Sequence, residues 1–213
     1  SYEKYLAEYQ EGKWAKVGYV KLGTIYTALG DMAKSKDALD RLSRKFPESD
    51  EAKNAKPQLA KSLIEMGMRK EGAEIYAEML RTDGSYTARQ FVSAGEALID
   101  ARSWDLAGQA FAKAIAKAGS NNFYAVARAR IGEAKSLFRQ KNYIMAKESL
   151  DAFLEDKKMS RMGIAVDAQR LMIDVASALG SSEKDTKLRN KYFGEAVAAV
   201  KALRNHWSEK PQW

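Results

Sequence analysis

Residues 19–47 read YVKLGTIYTALGDMAKSKDALDRLSRKFP, and this stretch decides the fold. Apolar side chains recur in it at steps of three and four residues, which indicates amphipathic helices. Gly30 interrupts the pattern midway, and Phe46-Pro47 ends it, because proline lacks the amide hydrogen that continues a helix. The stretch therefore predicts two helices joined by a short turn. The apolar positions that define this cassette are Leu22, Tyr26, Leu39 and Leu42.

The same cassette returns three more times along the chain. Equivalent positions lie 37 residues apart between the first and second copies, then 35, then 39. Self-similarity at this period indicates a stacked array of supersecondary units rather than one globular core. A function carried by a surface is therefore favoured over one carried by a reaction centre. The copies are marked by Leu22-Gly23, Leu59-Ala60, Ala94-Gly95 and Ala134 in their first helices.

We predict an all-α fold, a right-handed α-solenoid of about five helix-turn-helix repeats. Residues 1–13 are expected to form the orphan helix of a preceding repeat, and residues 14–160 the regular repeats. Residues 161–213 are expected to form a degenerate helix pair that caps the array, with a polar connection over residues 180–185. The predicted pairs are 14–29 with 34–45, 52–66 with 70–81, 87–101 with 104–118, 122–140 with 143–156, and 162–179 with 186–206.

Small residues occupy equivalent places in both helices of the cassette. A bulky side chain at these places would hold the two helices of a pair apart, so the pattern predicts close contact there. The first helices carry Gly23, Ala60, Gly95 and Ala134. The second helices carry Ser35, Gly72, Ala107 and Ala146.

Composition excludes several classes of function. The chain has no cysteine, so no disulfide, zinc–thiolate site or thiol nucleophile can form. No apolar stretch approaches the ~20 residues that span a bilayer. The formal net charge is +8, which could attract an acidic partner, anionic lipid or nucleic acid. Because basic and acidic residues are interleaved, ordinary solubility of helix faces explains the same excess.

The sequence offers no catalytic constellation. No glycine-rich phosphate loop is present, and the single histidine, His206, has no partner at helical spacing. We therefore expect no enzyme activity, no metal and no cofactor.

These repeats resemble the tetratricopeptide repeat (TPR) family, whose pattern of large, small, Tyr, Ala, Phe and Pro positions is matched best by residues 19–47. The repeats are longer than the family's 34 residues, and the later copies lack the closing proline. Longer units with a Phe-Pro-x-Ser turn are similar to those of bacterial envelope proteins. That similarity favours the bacterial periplasm or the periphery of the outer membrane, with the cytoplasm as the alternative.

The resemblance implies a non-catalytic scaffold that binds a peptide or helix of another protein on a concave face lined by the first helices. Helical spacing then selects inward-facing side chains, among them Ile64. Arg128, Lys135 and Arg139 fall on one face of one helix, where they could receive a carboxylate-bearing segment. The candidate partner-binding residues are Lys61, Arg89, Arg128, Lys135, Phe138 and Arg139.

Alternatives remain open at this point. The basic residues could be ordinary surface, or the chain could self-assemble or belong to a larger enzyme or nucleic-acid-binding protein. Single-strand binding would need exposed aromatic side chains. Tyr86, Phe123 and Tyr124 lie beside loops, but the sequence favours burial for them as junction residues. A protein partner, possibly acidic, is therefore predicted over nucleic acid.

Overall fold

The structure, a computed structural model, describes residues 1–82, 86–119 and 122–208, with only the backbone of residues 206–208. Within these residues the regular structure is helical throughout, with no strand. None of the helices described is long and apolar enough to cross a membrane. The helices are α1 (Tyr2–Glu8), α2 (Ala15–Ala28), α3 (Met32–Lys45), α4 (Asp50–Glu65), α5 (Arg69–Thr82), α6 (Ala88–Asp100), α7 (Trp104–Ala118), α8 (Phe123–Arg139), α9 (Tyr143–Glu155), α10 (Ala165–Ser182) and α11 (Thr186–Ser208), with a 3₁₀ turn at Met159–Arg161.

The chain divides into two compact units, each built from helices that pack on their neighbours in sequence. Unit 1 comprises Ser1–Tyr86 and Asp100–Ser103, and unit 2 comprises Thr87–Ile99 and Trp104–Trp213. In unit 1, α2 packs on α3 and α4 on α5, while α2 also contacts α4. In unit 2 the same scheme joins α8 to α9 and α10 to α11, while α8 contacts α10. The predicted fold class, an all-α solenoid of helix pairs, is confirmed.

Each unit has its own apolar core between the helices of its pairs. In unit 1 the core includes Tyr19, Leu39, Leu42, Leu59 and Leu63. In unit 2 it includes Leu150, Phe153, Met172, Val175 and Leu179. These side chains recur at three- and four-residue steps within their helices, so one face of each helix is buried and the other meets water.

Polar side chains fix where several helices begin. The Asp31 carboxylate accepts a hydrogen bond from the Lys34 amide at 3.1 Å, and Ser49 Oγ accepts one from Ala52 at 3.1 Å. Asn122 caps α8 by accepting from the Ala125 amide at 3.3 Å. Each cap satisfies an amide that has no partner within its own helix.

The predicted close contacts between the helices of a pair are confirmed. A Cβ placed on Gly23 of α2 would lie 2.7 Å from Leu39 Cδ2 of α3. One placed on Gly72 of α5 would lie 2.6 Å from the Ala60 carbonyl oxygen of α4. Ser35, Ala107 and Ala146 are fully buried. Larger side chains at these positions would separate the paired helices.

One predicted helix end is wrong. The sequence places residues 180–182 in a polar connection, whereas α10 continues through Gly180 to Ser182. A Cβ on Gly180 would lie 2.8 Å from Phe193 Cε1 of α11. The glycine therefore admits an aromatic ring from the paired helix and does not interrupt α10. The wider division of the chain at residues 13/14 and 160/161 stays a prediction.

The turn between paired helices has the same backbone geometry in successive repeats. Gly30 and Gly67 have φ values of +78° and +88°, and Arg102 and Lys141 have values of 60° and 63°. These four residues are separated by 37, 35 and 39 residues, which are the periods of the sequence repeat. After α8, the amide of Lys141 donates to the Phe138 carbonyl and that of Asn142 to the Leu137 carbonyl, at 3.0 and 2.9 Å. This pair of bonds is a Schellman motif, which glycine adopts without a steric penalty.

We predict that Lys141→Gly stabilises the protein by about 0.5–1 kcal/mol, because it removes the left-handed strain of a side chain that is exposed. Gly67→Ala should destabilise it by at least about 1 kcal/mol, because it introduces the same strain. Urea unfolding followed by circular dichroism measures both. Equal destabilisation by the two variants would contradict this account of the turn.

Candidate protein-binding site

The ring of Phe111 on α7 lies between two glycines of unit 2. A Cβ on Gly95 of α6 would lie 2.6 Å from Phe111 Cε1, and one on Gly132 of α8 would lie 2.3 Å from Phe111 Cζ. Phe111 itself is fully buried. Real Cβ atoms do not approach other atoms so closely, so both positions must lack a side chain. The missing side chains allow α6 and α8 to approach the same ring, which places these two first helices side by side.

A depression of about 610 Å³ lies between α6 and α8 as a result. Val92 forms part of its floor and is almost fully buried. Its walls carry mostly polar side chains, which suits a hydrated peptide better than a purely apolar ligand. The polar and aromatic lining includes Arg89, Ser93, Glu96, Asn122, Tyr124 and Arg128.

One ion pair crosses this depression. Arg128 of α8 donates to Glu96 Oε1 of α6 through Nε, at 3.0 Å, and through Nη2. The Arg128 guanidinium also lies 5.8 Å from the centroid of the Tyr124 ring, one helical turn earlier, in a cation–π contact. Burial lowers the pKa of Arg128. The hydrogen bonds to Glu96 and the negative charge of Glu96 raise it by a larger amount, so the pKa of Arg128 lies above its ordinary value. Arg128 therefore remains a cation that is held in one orientation.

Three further predicted site residues are free cations. Arg89, Lys135 and Arg139 are exposed, and no ion pair involves them in the described part of the chain. Arg89 lines the same depression as Arg128. Lys135 and Arg139 follow Arg128 along the same face of α8. These three residues, together with the paired Arg128, give this face of unit 2 a positive charge.

The other two predicted site residues are less available. The Phe138 ring packs on the Tyr143 ring of α9, with centroids 5.5 Å apart, and against the core of unit 2. Lys61 lies in unit 1, where its Nζ is 3.7 Å from Glu65 Oε1, one turn further along α4. The roles assigned to all six residues remain predictions.

Two expectations about individual side chains are wrong. Ile64 is buried and packs against Gly72 of α5, because a Cβ on that glycine would lie 2.7 Å from Ile64 Cγ1. It therefore faces the paired helix and not a groove. Tyr124 is 54% exposed and Phe123 is 38% exposed, whereas burial is expected from their place at a repeat junction. Both lie in the first turn of α8, where cations cover their rings: Arg128 lies over Tyr124 and Lys158 lies over Phe123.

Several residues of this site were not selected from the sequence, although some of them have features that could have identified them. Tyr124 precedes Arg128 by four residues, a spacing that brings two side chains together on a helix. Asn122 is a preferred residue type for a helix start. Glu96 and Arg128 are 32 residues apart, so only the repeat register could have suggested their contact. Gly132 has no counterpart at the equivalent positions of α4 and α6, which hold Gln58 and Ser93.

No metal-binding group is present in the part of the chain that the structure describes, where no three His, Cys, Asp or Glu side chains come together. The side chain of His206 lies outside the described residues.

Comparison with known proteins supports the fold. Neither a model of a known protein family nor a curated protein matches this chain. The solved structures that match it include the crystal structure of MamA protein, with a TM-score of 0.53. The match covers 95% of this chain and 100% of that chain, at 18% sequence identity. The fold is an all-helical solenoid. At this identity the likeness extends to the fold alone.

We predict that Gly132→Ala destabilises the protein by about 1–3 kcal/mol, because the added methyl group would overlap the Phe111 ring. Gly108→Ala is the matched control, since it adds the same atom to α7 where nothing lies within 4 Å. That control should stabilise the protein by about 0.5–1 kcal/mol through helix propensity. Denaturant unfolding measures both variants. Stabilisation by both would show that Phe111 does not hold the position described here.

Proposed function

We propose that this chain is a non-catalytic protein-interaction module that binds an acidic segment of another protein on the first-helix face of unit 2. The observation that carries the proposal is the set of cations on this face that have no ion-pair partner among the described residues. Arg89 lines the α6–α8 depression, while Lys135 and Arg139 continue along α8. A place in a larger bacterial envelope assembly belongs to the same proposal and is supported by the resemblance of the repeats.

The chemistry of the depression favours carboxylates. A guanidinium presents a rigid fork of donors that matches the two oxygens of a carboxylate, and Arg89 has no internal partner among the described residues that occupies this fork. The exposed face of Tyr124 can pack against an apolar or aromatic side chain of the same segment. An acidic segment with nearby apolar residues would satisfy both groups.

A helical array is suited to this task because its binding surface is already formed. The Gly95–Phe111–Gly132 contact fixes α6 against α8. Little conformational entropy is then lost by the protein when a segment docks, which raises the affinity available from a few contacts.

The test uses fluorescence anisotropy with short labelled peptides of Ala and Gln that carry four, one or no Glu residues. We predict that the four-Glu peptide binds and the uncharged peptide does not. Arg89→Glu and Lys135→Glu should each weaken binding about tenfold, a loss of about 1.4 kcal/mol. Lys191→Glu is the control, because it makes the same charge change at an exposed position on α11.

The control separates a local contact from a general effect of net charge. At about 0.15 M salt the Debye length is about 8 Å, so distant charges are screened and Lys191→Glu should change affinity less than twofold. Equal weakening by all three variants would refute a defined site. An oligothymidine that binds better than the four-Glu peptide would favour a nucleic-acid partner instead.

Self-assembly is a second candidate, supported by α11. Phe193, Val197 and Val200 lie on one face of this helix, and each is at least 40% exposed. An apolar stripe of this kind often marks a contact surface. We propose a second copy of the chain as its occupant. Sedimentation equilibrium should then show a concentration-dependent oligomer that Val197→Glu dissociates, whereas a monomer at all concentrations would eliminate this candidate.

A further inference from the structure

Glu96 is the only acidic side chain in the described lining of the α6–α8 depression. It uses one oxygen, Oε1, to accept from both Nε and Nη2 of Arg128. The two side chains are 38% and 43% exposed, so the pair lies at the solvent-facing wall and can be reached by a ligand. A single carboxylate oxygen thus occupies one bidentate edge of the guanidinium, formed by Nε and Nη2.

Glu96 occupies a repeat position that carries a basic residue in the next repeat. Glu96 follows Gly95 on α6, and Lys135 follows Ala134 at the equivalent place on α8. The same repeat position therefore carries a negative charge at the depression and a positive charge one repeat later. The negative charge lies where an acidic ligand would place its own carboxylate.

We propose that Glu96 is an internal competitor, which occupies Arg128 and lowers the affinity of the depression for acidic segments. This inference rests on the proposed function. A segment with one carboxylate binds Arg89, which has no ion-pair partner in the described chain, without displacing Glu96 from Arg128. A segment with a second carboxylate can exchange it for Glu96 on Arg128, and the cost of that exchange reduces its affinity. Glu96 also repels every carboxylate in the depression, so segments with more carboxylates are penalised more.

The size of the effect follows from the exposure of the pair. Partly exposed ion pairs are weak, so a ligand can replace Glu96 without a large penalty. Removal of the Glu96 charge should therefore improve affinity by a modest factor. If Glu96 instead served to orient Arg128 for the ligand, its removal would reduce affinity.

The experiment measures the affinity of the four-Glu and one-Glu peptides for the wild type and Glu96→Gln at about 0.15 M salt. We expect Glu96→Gln to lower the Kd of the four-Glu peptide about threefold to fivefold. The one-Glu peptide should gain less, because Arg89 already accepts its single carboxylate without displacing Glu96. The preference for four Glu over one Glu should therefore grow.

Two controls isolate the mechanism. Glu148→Gln removes an equal charge from an exposed site on α9 and should leave both affinities within about 1.5-fold. In an Arg128→Gln background, Glu96→Gln can no longer release Arg128 for the ligand. Its effect on affinity should therefore fall to the part that comes from removing the repulsion between Glu96 and the ligand. Circular dichroism and urea unfolding establish that each variant is folded.

The outcomes separate this inference from the proposed function. If the wild type binds the four-Glu peptide and Arg89→Glu weakens it, but Glu96→Gln weakens binding or matches Glu148→Gln, the competitor role is refuted and the proposed function stands. If neither the wild type nor Glu96→Gln binds the four-Glu peptide, both are refuted. Tighter binding of the four-Glu peptide by Glu96→Gln, with no such change in Glu148→Gln, supports both.

Discussion

The Phe111 ring touches a glycine on each of two first helices, and the groove of unit 2 depends on that contact. Gly95 and Gly132 both lie where any Cβ would overlap the ring. The ring fills the space that a side chain at Gly95 and a side chain at Gly132 would otherwise occupy. Both α6 and α8 therefore pack on the same ring and lie side by side. Close packing of this kind is sensitive to the addition of one methyl group. This apolar contact sets the distance between α6 and α8, and it thereby positions the polar side chains that line the depression.

The electrostatics of the face follow from this packing. Once α6 lies beside α8, Glu96 and Arg128 meet although they are 32 residues apart. That contact neutralises one cation and leaves Arg89, Lys135 and Arg139 available. The face thus carries one cation, Arg128, that is paired with Glu96, and three cations that have no ion-pair partner among the described residues.

The features that recur in each repeat could be predicted from the sequence, whereas contacts that occur only once could not. The periods of 37, 35 and 39 residues located the helix pairs, and they match the spacing of the left-handed residues from Gly30 to Lys141. Small residues such as Gly23 and Gly72 were found because each repeat needs one. Gly132 was not, since its contact is with Phe111 of the preceding pair and no other repeat has a glycine there. The end of α10 was missed because Gly180 accommodates Phe193 and does not break the helix. The ion pair of Glu96 with Arg128 required the spatial register of two helices, which no local pattern encodes.

Nuclear Overhauser spectroscopy on the isotopically labelled chain tests the central claim most directly. The structure predicts cross-peaks from the Phe111 ring protons to the α-protons of both Gly95 and Gly132, because the ring edge touches both backbones. The chemical shifts of both glycines should also move when the ring is removed by Phe111→Leu. Cross-peaks to only one of the two glycines, or none to either, would contradict the account.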